Sequence, residues 1–318
     1  MAMTSFICSV SLVLSLTIQQ TSGVSSRVIK PEEPTVKLQA RLVNLNIKVV
    51  DTSGRPVARL NRDDFIVLEN NVRQEVTYFE PVAAPVNLLL LLDLSGSIGS
   101  KLQTMKKAAK KFVDSLGRDD RIAIASFTTG FQAVSDFTTD RDKLKRSIER
   151  IVNPGGDTAL YDAAWEALDS LRGNANARNA LIILTDGVDS AFIPNEQGSK
   201  RGFNELMMRV EEEDATIYPI YFDTEPEVVG GDYTPQVFAK ARTQLEALAE
   251  QTGGSYFRAS REEDLEGVYK RVATELHSFY SVAYPAKDAR NDGGWRKIGV
   301  TVNRAGVKAR TKRGYYAR

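Results

Sequence analysis

Between residues 86 and 276 the chain alternates between two textures. Mostly apolar runs at 86–92, 122–127, 180–184 and 216–222 read as strands covered on both faces. Between them apolar residues recur at helical spacing, as in Leu102, Met105, Ala109, Phe112, Val113 and Leu116, or Leu160, Ala164, Leu168 and Leu171. Leu144, Ile148 and Ile151 mark another helix, residues 203–213 suit one more, and Val237, Phe238, Ala241, Leu245 and Leu248 a further one. Short strands are expected at 131–137 and 255–257, and Ser260 with Glu263 forms a capping box ahead of Leu265, Val268, Val272 and Leu276. Pro219 cannot donate to a ladder, so a bulge or an unpaired position is expected within the 216–222 run. This alternation predicts an α/β fold: a doubly wound, mostly parallel sheet with helices on both faces.

Both flanks read as β. Residues 36–50, 65–68 and 72–79 carry alternating or continuous apolar positions, separated by turns at 51–54 and at Asn70-Asn71. Pro81 and Pro85 mark a linker, and after residue 279 strand patterns return at 279–284, 295–302 and 307–310, with 291–294 as a hairpin turn. Neither flank has enough strands to close a core alone. The two are therefore expected to pair into a small β-sandwich-like domain, from 36–82 and 278–318, with the α/β domain at 83–277 inserted between them.

The chain has 318 residues, with 42 Lys+Arg against 41 Asp+Glu, and this near-zero net charge argues against a nucleic-acid partner. One Cys and one His exclude a disulfide framework, a cysteine-based zinc site and a multi-histidine metal centre. The remaining chemistry belongs to carboxylates, hydroxyls, Lys and Arg. Residues 6–18 form an apolar run of signal-peptide length, too short to span a bilayer, followed by Thr21, Ser22 and Gly23, although the start MAMTS lacks Lys and Arg. A cleaved signal peptide at 1–23 is expected, and with it a secreted, periplasmic or cell-envelope location. No later stretch is apolar for long enough to cross a membrane.

Three loops stand where chemistry would gather in such a sheet. Asp93-Leu94-Ser95-Gly96-Ser97 follows one apolar run, Gly155-Gly156-Asp157-Thr158 precedes a helix, and Thr185-Asp186-Gly187 follows another apolar run. Ligands of doubly wound sheets bind outside the carboxyl ends of the strands, where strand order reverses. Hard divalent cations take oxygen ligands, and Mg²⁺ keeps several waters beside one or two carboxylates. Asp93, Ser95, Ser97, Thr158 and Asp186 supply that set.

With D-x-S-x-S at Asp93, Ser95 and Ser97, a loop threonine at Thr158 and T-D-G at Asp186, the chain resembles the von Willebrand factor type A family. The resemblance covers about residues 86–275, including Asp120-Arg121-Ile122-Ala123 at the opening of a strand, and all five site positions match. It implies a metal-ion-dependent adhesion site in which the matching Ser and Thr hydroxyls contact Mg²⁺ or Mn²⁺, and the matching Asp residues bind directly or through water. A carboxylate from an Asp or Glu of a protein partner would complete the coordination. The flanks, with DTSGRPV, DDFIVLENN and KRGYYA, resemble those of bacterial secreted proteins related to this family.

Other polar residues have plainer explanations. Asp157 reads as a helix cap, Asp189 as a solvated loop residue, His277 as a satisfied or exposed histidine, and Trp165 and Trp295 as packing residues. Arg304, Lys308, Arg310, Lys312 and Arg313 form a basic tail in which Lys308, Arg310 and Lys312 alternate as on the solvent face of a strand. The expected function is a non-enzymatic, metal-dependent protein-binding module for adhesion or assembly. The alternative is a Mg²⁺-dependent hydrolase using the same cluster. Such an enzyme needs a nucleophile or activated water with a general base beside it. Ser95 stands where a haloacid-dehalogenase-type enzyme would need Asp, no phosphate-binding glycine loop follows the first α/β strand, and no G-x-S-x-G elbow accompanies His277.

Overall fold

The computed structural model describes residues 42–80, 85–172, 178–224, 230–288 and 290–317. The expected signal peptide and the first residues of the 36–50 run lie outside the described residues. In chain order the elements are β1 (Leu42–Asp51), β2 (Phe65–Glu69), β3 (Val72–Gln74), β4 (Tyr78–Glu80), β5 (Val86–Asp93), α1 (Leu102–Ser115), β6 (Arg121–Phe127), β7 (Phe131–Thr138), α2 (Arg141–Arg150), α3 (Leu160–Leu171), β8 (Arg178–Thr185), α4 (Phe203–Glu212), β9 (Ala215–Phe222), α5 (Pro235–Thr252), β10 (Phe257–Ala259), α6 (Glu262–Leu276), β11 (Phe279–Pro285), β12 (Trp295–Val302), β13 (Val307–Arg310) and β14 (Gly314–Tyr316).

The central sheet has the order β10-β9-β8-β5-β6-β7, and every pair is parallel except β6–β7 at one edge. The fold class is α/β, as the alternating texture requires. Strands β5 and β9 are buried along their whole lengths and β8 at every residue but the half-buried Asn179, so successive residues feed opposite layers. Leu88, Leu90 and Leu92 join a core with residues of α1, α2 and α6, whereas Leu89 and Leu91 join another with residues of α3, α4 and α5. From β5 the chain moves to β6 and β7 on one side, then returns to β8 on the other. The strand order therefore reverses between β5 and β8, which pair in parallel from Val86↔Arg178 to Leu92↔Leu184.

The flanking strands form two antiparallel sheets, β13-β1-β11-β4 and β14-β12-β2-β3, each mixing residues from before and after the central sheet. Val43, Leu45, Ile47, Phe65, Val67, Tyr280, Val282, Tyr284, Ile298 and Tyr315 share one apolar cluster drawn from both. Buried Glu69 accepts hydrogen bonds from the Tyr284 hydroxyl (2.7 Å) and the Tyr315 hydroxyl (2.8 Å), so the Tyr of KRGYYA ties the chain end to β2. Lys308 and Arg310 are exposed on β13 between the half-buried Val307 and Ala309, while Lys312 and Arg313 pair with Asp214 (2.5 Å) and Glu250 (2.6 Å) of the α/β part. Trp165 lies beneath the Arg201 and Arg209 guanidiniums, and Trp295 meets the Tyr316 ring edge-on.

Several local expectations differ from what the structure shows. The 291–294 turn does not close a hairpin, because β11 and β12 belong to different sheets; instead Asp292 holds the buried Arg296 and Gly294 bonds to Ala317. The box opening α6 lies one residue further on, with Asp264 reaching back to the Arg261 N–H at 3.1 Å. The strand expected at 255–257 is β10, Phe257–Ala259. At Pro219 there is no bulge: β9 keeps register with β8, with Ile183 opposite Pro219. The Ile217 N–H donates to Thr252 Oγ1, so the nitrogen two residues later points to the same side, away from β8. There β10 pairs only with Ile220–Phe222, and the missing N–H breaks no ladder bond.

Candidate metal centre

Asp93 ends β5 and Asp186 follows the last residue of β8, so both carboxylates lie at the carboxyl ends of neighbouring parallel strands. The reversal point expected from the sequence is where they sit. Asp93 is fully buried and Asp186 almost so. Asp93 Oδ1 accepts the Ser95 N–H (2.9 Å), closing the loop after the strand, and Oδ2 accepts the Thr185 hydroxyl (2.6 Å) from the adjacent strand. Thr185 Oγ1 in turn accepts the Gly187 N–H (2.9 Å). Gly187 has φ +77°, and a Cβ there would stand 2.8 Å from Leu245 Cδ1, so a side chain at this turn is strained and must displace Leu245.

Ser97 links the first loop to the third. Its hydroxyl donates to Asp186 Oδ2 at 2.6 Å and lies 3.1 Å from Ser95 Oγ, giving a continuous row of Ser95 Oγ, Ser97 Oγ and Asp186 Oδ2. The second loop is fastened to both others. Gly96 N–H donates to Gly156 O (3.1 Å) and Asn153 Nδ2 to Ser95 O (3.3 Å), while Thr158 N–H donates to Ser190 Oγ (2.9 Å) and Ser190 N–H returns to Thr158 O (2.9 Å). The Thr158 hydroxyl makes no hydrogen bond among the described residues, so the loop is placed by its backbone and that oxygen is uncommitted.

Both carboxylates are held above the usual carboxylate range. Removal from water is the main cause at each, and for Asp93 the nearby charge of Asp186 adds to it. Among the described residues neither forms an ion pair, and no three acidic, His or Cys side chains converge anywhere. A buried charge without a counter-charge is costly. Two such carboxylates, with a row of serine hydroxyls ending on Asp186, fit a hard divalent cation, which asks for few carboxylates and several neutral oxygens. They do not fit zinc held by nitrogen or sulfur.

Two plainer expectations need correction. Asp189 is not a solvated loop residue but is fully buried, where its carboxylate accepts the Ala191 and Ser199 N–H groups and the Ser199 hydroxyl (2.6 Å) and fixes the segment after Asp186. Asp157 does not cap α3; it accepts the Gln197 N–H at 2.8 Å, and Ala159 occupies the cap position. His277 is satisfied as expected, bound through Nε2 to Asp120 (2.9 Å) and through Nδ1 to Ala273 O (2.9 Å). Sequence reasoning missed Thr224, whose hydroxyl donates to Asp186 Oδ2 at 2.9 Å from the loop after β9. The one signal for it is its position, just past the carboxyl end of a central strand.

Residues 88–188 match the family model of the von Willebrand factor type A domain. Over 130 residues the chain is 30% identical to the human voltage-dependent calcium channel subunit alpha-2/delta-2, an alignment covering 37% of this chain and 11% of that one. It is 24% identical over 216 residues to the uncharacterized protein YwmC of Bacillus subtilis, covering 61% of this chain and 85% of that one. Among solved structures, the von Willebrand factor type A protein of Catenulispora acidiphila aligns over 88% of this chain and 74% of its own at 14% identity and TM-score 0.48. The corresponding domain of the type V pili tip protein Mfa5 of Porphyromonas gingivalis aligns over 60% of this chain and 94% of its own at 15% identity and TM-score 0.43. The described residues contain no helix long and apolar enough to cross a membrane. The family model lies on β5 to β8, where the loops of the centre are set, and this part of the chain is a von Willebrand factor type A domain.

Proposed function

We propose that this protein is an exported, non-enzymatic module that binds a partner protein through a Mg²⁺ or Mn²⁺ ion, for adhesion or assembly. Ser95, Ser97 and Thr158 would offer hydroxyl oxygens to the ion, and Asp93 and Asp186 would balance its charge. The observation that carries this reading is the pair of buried carboxylates at the reversal point of the sheet, with Thr185 donating to Asp93 and Ser97 to Asp186, and with no ion-pair partner for either among the described residues. An ion there supplies a position for an outside oxygen, and an Asp or Glu carboxylate from a partner is the group whose charge suits it. Binding is favoured over hydrolysis because the chain's one histidine is engaged by Asp120 and Ala273 at the amino ends of β5 and β6, the end of the sheet away from the crevice.

The decisive experiment compares wild type with Asp93→Ala in Mg²⁺, in Mn²⁺ and in EDTA. Thermal unfolding and pull-down from a cell-envelope fraction are read side by side. A metal-dependent rise in melting temperature and a metal-dependent bound protein, both absent in the variant, are expected; an unmoved wild-type melting temperature overturns the reading. Export is tested by the intact mass of the secreted protein, which should start at about residues 22–27.

A further inference from the structure

Asp186 is held from two loops besides its own, and only one of those contacts comes from the five positions of the motif. Its Oδ1 accepts the Val188 N–H of its own loop at 3.2 Å, a contact that cannot set the carboxylate against the rest of the site. Its Oδ2 accepts two hydroxyls: Ser97 from the loop after β5 and Thr224 from the loop after β9. The serine is itself a candidate ligand, so its hydroxyl would serve an ion through an oxygen lone pair as well as the carboxylate through its proton. The threonine has no such second duty. Its side chain is wholly buried, and the backbone beside it is fastened because the Asp223 N–H donates to Ala259 O at 2.8 Å.

We propose that Thr224 is a positioning residue of the metal centre, a fourth loop's contribution that holds Asp186 oriented through a hydroxyl with no ligand role of its own. The inference rests on the metal-dependent reading above. Groups that orient ligands in this way typically change metal affinity about ten- to a hundredfold when removed. Thr224→Val keeps the shape and removes the donor; Thr224→Ser keeps the donor.

The test is isothermal titration of metal-free full-length protein with Mg²⁺ and separately with Mn²⁺, well below the melting temperature of each variant, with circular dichroism as the check of fold. Thr224→Val should bind about ten- to a hundredfold more weakly than wild type, and Thr224→Ser should restore binding to nearly the wild-type value. A purely structural role would lower the metal-free melting temperature and leave the dissociation constant of the folded protein unchanged. Equal affinity in wild type and Thr224→Val overturns the inference alone. A serine variant as weak as the valine variant also overturns it, because the hydroxyl would then not be the acting group. Failure of wild type to bind either ion overturns the metal-dependent reading and this inference with it. Should Thr224→Val not fold, Thr224→Ala is measured in its place and read in the same way.

Discussion

At Asp93 and Asp186 burial opposes the charge that a cation requires, and this sets two expectations. The first concerns the ion. A ligand that binds only the folded state stabilises it by about 2.7 kcal/mol at a hundredfold excess over its dissociation constant. Asp93→Ala should abolish that increment in calorimetry, while Ser95→Ala and Thr158→Ala should reduce it and substitution of His277 should leave it intact. The second concerns acid. Desolvation, aided by the charge of Asp186, pushes the Asp93 carboxyl up to about 7, and Asp186 shifts in the same direction. A carboxyl with a raised folded pKa contributes stability that is fully present below its unfolded value and is lost as pH rises through the folded one. Metal-free protein should therefore lose melting temperature between about pH 4 and pH 7 through this pair, and saturating Mg²⁺ should flatten the loss. A metal-free profile that rises steadily over that window and is unchanged in Asp93→Asn would refute the assignment. Asp93, Ser95, Ser97 and Asp186 were legible as one cluster because D-x-S-x-S and T-D-G place their side chains by local spacing at neighbouring strand ends. Thr224 and Asp189 were not, since a hydroxyl from another strand end and a carboxylate buried by its own loop leave no periodic trace.

Among the elements, α6 and the start of β6 are joined by the chain's one histidine. Both nitrogens of His277 face acceptors, the Asp120 carboxylate and the Ala273 carbonyl, and only an imidazolium can donate to both. Asp120 also accepts the N–H groups of Val86 and Gly117, and Arg141 donates to the Asp120 carbonyl. The hydrogen bond to Asp120 raises the His277 pKa, outweighing partial burial and the positive charge of Arg178. Its contribution is thus present below the ordinary value of 6.5 and is lost as pH climbs through the raised one. His277→Gln should lower the melting temperature clearly at about pH 6 and little at about pH 9; an equal deficit at both would mean that shape, not charge, is what matters. The strands and helices themselves were largely legible, because β5, β8 and β9 are buried on both faces and the helices present one apolar stripe. Pairing partners were not: β11, β12 and the turn between them read as a hairpin locally, but β11 pairs with β1 and β4 and β12 with β2 and β14, contacts distant in sequence that local spacing does not encode.

For the whole molecule, the two cores on either side of the central sheet suggest that residues 83–277 fold without the flanks. That fragment should give a cooperative α/β melting curve by circular dichroism, weakened because Phe279 of β11 packs into the helix-covered core and removing such a ring costs about 3–5 kcal/mol. An unfolded fragment would show that the flanks are part of one folding unit. Removing residues 279–318 should instead uncover Val43, Leu45, Ile47, Phe65 and Val67 and cause aggregation, visible by light scattering. The pairing of β4 with β11 carries a mechanical consequence. These are the strands by which the chain enters and leaves the α/β part, and they lie side by side from Glu80↔Ser281 to Tyr78↔Ala283. Tension between the ends of the chain then runs through β1, β11 and β13 and bypasses the crevice, whereas a partner pulling on the crevice loads both connections together. In single-molecule stretching between β1 and β14, the flank sheets should yield first, and metal at the crevice should leave that first rupture force unchanged while raising the second.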